Sequence, residues 1–336
     1  MTTSTPQLPQ QLAERRKLAR DLTSSPEILA VLAADRAERV RVEVACNRAT
    51  PPHVLAKLAG DKSWVVIHSV ARHISTPADV LRSLAGDPEE DFRLCGLIAE
   101  HPSCPIDLLE KFASNEDLAY YVCRNPSTPV ELLARLSQNS DLCHTLVENL
   151  NLPGDLLDAI AQRDNRRFWK TARHPNVLPE TLVRIASTTD DEIRLQIAMN
   201  PRAPTDALDL LVAGSSDDVL RALIVHPNLP ERALVLLATH ASAVVRKLVA
   251  DQTRTPAPTL DLLSCDRSIE VRRNVADNSN TAAETLARLA GEDDPVVRRF
   301  TADNRNTPAS ALLVLRNDPD EKVRRSAGWN PNTPHQ

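Results

Sequence analysis

The chain has 336 residues, 42% of them hydrophobic and only 3% aromatic, with a formal net charge of −5 and a pI of about 6.0. That balance excludes a general attraction to nucleic acid or to an anionic membrane, and it leaves apolar burial to Leu, Val, Ile and Ala. With 25 prolines against 7 glycines, many short helices with defined starts are expected rather than strands joined by glycine turns.

The N-terminal segment MTTSTPQLPQQLAERRKLARD lacks the apolar stretch of a secretory signal, and no run is long and apolar enough to span a membrane. Residues 7–22 read as an amphipathic capping helix, so residues 1–22 form a tail and cap. From there the chain repeats. A turn proline recurs at Pro26, Pro51, Pro77, Pro105, Pro129, Pro153, Pro179, Pro204, Pro230, Pro256, Pro308 and Pro334, with Ala282 in the one missing slot. The steps run from 24 to 28 residues, and the last five are all 26. Self-similarity at this period marks a repeat architecture. The expected fold is all-α, an α-solenoid superhelix of about twelve helical-pair repeats running without a boundary over residues 23–336.

Each repeat reads as two helical halves. The first opens on Ser/Thr-Pro, taken as an N-cap followed by proline at the first helical position, and pairs such as Thr128 with Glu131 and Thr281 with Glu284 read as capping boxes. Two leucine ladders follow three residues apart, as at Leu286 and Leu289, and point into one core. Gly60, Gly86, Gly214 and Gly291 are the expected C-terminal caps. The second half carries i, i+4 apolar pairs such as Val271 and Val275 and reads as shorter, about two turns, α or 3₁₀. Four or five residues before each turn proline stands Asn, His or Gln, including Asn278, Asn304 and Asn330. These side chains suit stray carbonyls at a helix end, which absorbs four of the nine histidines into structure.

The pattern frays in the middle. Seven of the nine aromatics lie between Trp64 and Trp169, and Tyr120, Tyr121, Phe168 and Trp169 with Arg166 and Arg167 form candidate binding sets. Aromatics beside arginines suit both interface hot spots and base stacking. Toward the C-terminus an arginine recurs at Arg246, Arg272, Arg298 and Arg324, with earlier members read at Arg41, Arg93, Arg194 and Arg221. A second basic residue follows at Lys247, Arg273, Arg299 and Arg325. With helices about 8–10 Å apart, these four would line up as a stripe about 30 Å long. The chain halts at NPNTPHQ, and self-association through an uncapped last repeat is a further expectation.

The phrase VRRxVAxNxxTPxxLLxxLAxD, carried in twelve copies over residues 22–334, resembles the leucine-rich repeat variant family of the HEAT and armadillo class. The resemblance implies alternating α and 3₁₀ helices in a superhelix and a role as a binding scaffold. Some members carry an iron–sulfur domain on clustered cysteines. Here the first cysteine is Cys46 and no cluster exists, so no cofactor and no metal are expected. HEAT-type repeats use an Asp-to-Arg spacing like that of Asp266 and Arg272 to tie neighbours together, which assigns the first arginine of each pair to structure.

No nucleophile elbow, HExxH or glycine-rich strand-to-helix loop is present, so a non-enzymatic scaffold is expected. Its expected partner is a protein, met through a preformed curved surface. The alternative is a nucleic acid bound by the basic stripe and the aromatic patch. The six cysteines form no CxxC pair and read as free thiols of a cytoplasmic protein.

Overall fold

A computed structural model of the chain describes residues 8–163 and 168–334, and every regular element among them is helical. The chain forms two compact units, residues 1–160 and 161–336. Each unit is an α-solenoid of stacked helix pairs.

In the first unit the first helices include Pro26–Leu32, Pro52–Leu58 and Ala78–Leu84, and the second helices include Glu38–Cys46, Trp64–Arg72, Phe92–Glu100 and Glu116–Arg124. In the second unit the same alternation gives Glu231–Leu237, Ala257–Leu263, Ala283–Leu289 and Ala309–Leu315, interleaved with Ala243–Asp251, Ile269–Asp277, Pro295–Asp303 and Glu321–Trp329. These first helices have seven residues and these second helices nine, the reverse of the expected order. The apolar pairs mark only the buried stripe of the second helix. Its remaining positions face solvent, as Arg273 and Asp277 do in Ile269–Asp277, so its true length was hidden from an apolar reading. Both kinds are α-helical, against the alternation implied by the resemblance. The described 3₁₀ turn is Ser140–Leu142, which leads into the four-residue helix Cys143–Leu146.

Both ladders reach the interior. Leu29, Leu32, Leu55 and Leu58 are buried in the first unit, and Leu260, Leu263, Leu286, Leu289, Leu312 and Leu315 in the second. Each such side chain contributes about 1.5–3 kcal/mol through burial, and only stacking on the next repeat removes it from water. The N-terminal helix Leu12–Arg20 has the nine residues of a second helix and packs on Glu38–Cys46 as that helix packs on Trp64–Arg72.

The polar ladder binds repeats to each other. Asn304 Nδ2 donates to the carbonyls of Ala276 and Asn278, one repeat earlier, at 2.8 and 2.9 Å, while its Oδ1 accepts from Asn306 N. Asn330 does the same to Ala302 and Asn304, and Asn278 to Ala250 and Gln252. Histidine serves equally: His101 Nε2 bonds the His73 carbonyl at 2.9 Å, and burial pushes its pKa down, toward the neutral ring. Where Gln252 occupies the ladder slot, Arg254 reaches the carbonyls of Ile224 and His226 instead.

Where a threonine precedes the turn slot, as at Thr128 and Thr281, it has a different task from the one expected. Thr281 Oγ1 donates to the carbonyl of Val275, and Thr128 to that of Val122, both at 2.6 Å. The hydroxyl thus closes the end of the second helix and does not open the first. The first helices begin one residue later, on extended Pro129 or Ala282, without a side-chain cap. The capping boxes at Thr128 and Thr281 are therefore not formed, although Ser25 does cap its helix. The glycine caps are corrected as well: among the described residues Gly214 alone has a positive φ, at 71°.

Candidate functional site

The first arginine of each pair is a joint. Arg246 Nε and Nη2 grip both carboxylate oxygens of Asp266 at 2.6 and 2.9 Å, while Nη1 holds the carbonyls of His240 and Ala241 in its own loop. Arg272 repeats this on Glu292, Arg298 on Asp318 and Arg41 on Asp61. The spacing is twenty residues forward, into the next repeat. The acid six residues before an arginine serves it through its backbone carbonyl, as Asp266 O serves Arg272. A planar guanidinium suits this task because it presents a fork to the carboxylate and a further N–H to the loop. Arg15 makes the same contacts, to Asp35 and to the carbonyls of Pro9 and Gln10, so the helix expected as a cap carries the repeat's own joint.

Two members were read out of register. Arg93 and Arg221 stand on exposed surface, one residue off or more from the joint position. Arg194 is in register but finds Gly214 where an acid would stand, and it binds the carbonyls of Ala213 and Gly214 instead. Arg324 holds the carbonyls of Asp318 and Pro319.

The second basic residues share one position on successive packed helices of the second unit. Arg273 is bound by Asp294 at 2.9 Å and Glu270 at 2.8 Å, and Lys247 lies 3.9 Å from Glu270. Arg299 covers the Phe300 ring and Arg325 the exposed Trp329 ring, at 5.1 and 4.3 Å from the ring centres.

Of the middle candidates, Arg166 and Arg167 lie outside the described residues, as does the side chain of Phe168. Trp169 is exposed beneath Lys170. Tyr120 packs on His144, with ring centres 5.7 Å apart. Tyr121 turns the other way, onto Phe92 and into a cleft.

That cleft is a concavity of the first unit. It has a volume of about 1070 Å³ and is floored by Trp64–Arg72 and Phe92–Glu100, with Arg48 at one margin and Tyr121 at the other. Trp64, His68 and Arg72 stand at i, i+4 and i+8 and so share one helix face. Trp64 is 66% exposed. Its ring meets His68 edge-on at 5.3 Å, and His68 Nε2 lies 3.1 Å from Asp91 Oδ2. Burial opposes ionisation of Asp91, but hydrogen bonds from the Leu94 amide and His68 outweigh it and hold its carboxyl below the ordinary range. Asp91 thereby fixes His68, and His68 fixes the indole.

Gly96 makes room for the Tyr121 ring at the cleft margin. A β-carbon there would sit 3.3 Å from the Tyr121 ring, and the other repeats carry Val42, Tyr120 or Arg273 at this register position. Arg48, Arg72 and Arg93 line the cleft exposed, and among the described residues none of the three is engaged in an ion pair. One lining carboxylate, Glu100, faces them. The cleft is therefore positive in a chain that is negative overall.

No group of three or more potential metal-ligating side chains occurs among the described residues. Burial pushes the thiols of Cys104 and Cys123 up to about 12, which favours the protonated thiol. No helix among the described residues is long and apolar enough to cross a membrane.

No family model matches the chain, and no curated protein matches it in sequence. Among solved structures it is similar to a leucine-rich repeat variant with a novel repetitive structural motif, at 20% identity over 88% of each chain with a TM-score of 0.35. It is also similar to an engineered protein at 19% identity, over 94% of this chain and 97% of that one, with a TM-score of 0.25. A third likeness is to computationally designed armadillo repeat proteins for modular peptide recognition, at 14% identity over 82% and 95% of the chains with a TM-score of 0.18. The helical-repeat fold rests on the internal repeats and not on these likenesses.

Proposed function

We propose that the chain is a non-enzymatic scaffold that binds another protein through the cleft of its first unit. The observation that carries this reading is the cleft itself: an oriented, exposed Trp64 beside Arg72 and Arg93, on two rigid helices. Tryptophan, tyrosine and arginine are the residues on which interface energies concentrate, and a preformed site limits the entropy lost on binding. Repeat scaffolds present such surfaces by varying residues that the stack does not need, and Trp64, Arg72, Gly96 and Tyr121 are variations of that kind.

A nucleic acid is the weaker reading. The stripe at Lys247, Arg273, Arg299 and Arg325 would have to give up the carboxylates that already hold Arg273, and the chain's charge of −5 repels a polyanion. The test is affinity capture from lysate with and without nuclease, using the native chain, a cleft variant (Trp64→Ala with Arg93→Glu) and a stripe variant (Arg273→Glu with Arg299→Glu and Arg325→Glu). A protein retained after nuclease by the native chain and the stripe variant, and lost by the cleft variant, is the expected result. A catch that nuclease removes, or that depends only on the stripe, overturns the proposal.

A further inference from the structure

We infer that the cleft's ligand is an acidic peptide segment carrying an aromatic or large aliphatic anchor, an inference that rests on the protein-binding reading above. The charge pattern decides the sign. Arg48, Arg72 and Arg93 face the cleft without an ion pair, whereas in the second unit Arg273 is bound by two acids and Arg246, Arg272 and Arg298 are consumed by the joints. An exposed guanidinium with its fork unoccupied is complementary to a carboxylate, which it can bind with two parallel hydrogen bonds.

The apolar half of the ligand follows from Trp64. Its indole is mostly exposed and yet positioned, because His68 supports its ring and Asp91 supports His68. Leu97 and Tyr121 extend this apolar surface across the cleft floor beside Gly96. An aromatic or leucine-like side chain laid there would bury area on both partners without ordering a flexible side chain of the scaffold. Acidic groups flanking that anchor would meet Arg72 on one side and Arg93 on the other, since these residues belong to adjacent helices of the floor.

A basic partner is disfavoured because Glu100 offers the cleft's one lining carboxylate against three arginines. A single-stranded nucleic acid is disfavoured because its charges continue past the cleft onto a chain of net negative charge. An acidic peptide places its charges only where the arginines are.

The experiment is selection of a random-peptide display library on the immobilised full chain. A parallel selection uses Trp64→Ala combined with Arg72→Glu, a variant whose changes lie on exposed side chains and whose fold is checked by its melting temperature. Peptides enriched in Asp and Glu around an aromatic or leucine residue are expected. Their affinity should fall about tenfold or more with either single substitution and should fall with added salt. Selected peptides that require the cleft but are basic or uncharged would overturn this inference and leave the protein-binding reading standing. Failure to select any peptide, or displacement of the peptides by oligo(dT) in a Trp64-dependent way, would overturn both.

Discussion

Arg298 grips Asp318 across one repeat: its Nε and Nη2 donate to the two carboxylate oxygens at 2.6 and 3.0 Å, and its Nη1 holds the carbonyls of Glu292 and Asp293. Both side chains are nearly closed to solvent, at 13% and 5% exposure. Removing one partner strands the other, so Arg298→Ala should destabilise the second unit by about 3 kcal/mol, as expected for breaking a buried pair. Replacing both, with Arg298→Met and Asp318→Leu, should cost less than the single change. Urea unfolding of the three variants checks both statements.

The same joints set an acid limit. Hydrogen bonds from Arg41, Arg246 and Arg298 hold the carboxyls of Asp61, Asp266 and Asp318 below their ordinary range. A carboxyl depressed in the folded state contributes stability above its unfolded pKa, about 4, and loses it as pH falls through the folded value. Melting temperature should therefore be flat near neutrality and fall below about pH 4. Asp318→Asn should start lower and fall less steeply, and an equally steep fall in that variant would contradict this assignment.

The polar ladder predicts an unusual tolerance. Asn304→Ala leaves the buried Ala276 carbonyl and the Asn306 amide without partners and takes one of two donors from the Asn278 carbonyl, at a cost of about 1–3 kcal/mol. Asn304→Asp should be worse, because a carboxylate cannot donate. Asn304→His should be the mildest of the three, since His101 and His226 already fill this slot and bond the preceding carbonyl through Nε2. Thermal melts of the three variants give the order directly.

The reassigned threonine separates two readings of one motif. Thr281→Val should cost about 1–2 kcal/mol, because the carbonyl of Val275 loses its short hydroxyl donor and keeps only the long bond from the Asn278 amide at 3.3 Å. Glu284→Ala should be nearly neutral, within about 0.5 kcal/mol, because no capping box exists there to break. Similar losses in both variants would restore the capping box.

How much was legible can be judged at particular residues. The leucine ladders and the Asn ladder were visible because a buried stripe repeats at a fixed period. The role of Arg298 was visible too, but its partner was not: the acid that it grips lies twenty residues ahead, a distance that only stacking makes short. Thr281 was misread because a hydroxyl between two helix ends fits both, and only the fold chooses. Arg15 was overlooked because the repeat's proline does not precede it. At the cleft, Tyr121 was named from the sequence as a binding residue, whereas Arg93 was named only as a joint arginine and Arg48 and Arg72 were not named. Trp64, His68 and Arg72 at i, i+4 and i+8 gave the one local signal for that face. Gly96 carries no local signal, because its meaning depends on the Tyr121 ring, one repeat away.

The measurement that bears most directly on the cleft is site-specific photo-crosslinking in lysate. A crosslinking amino acid is placed at Ser69 on the cleft floor or, in a separate variant, at Arg299 in the stripe. A discrete protein adduct from position 69, unchanged by nuclease and absent from position 299, is the result the account predicts. Adducts from position 299 alone, or nucleic-acid adducts from position 69, would contradict it.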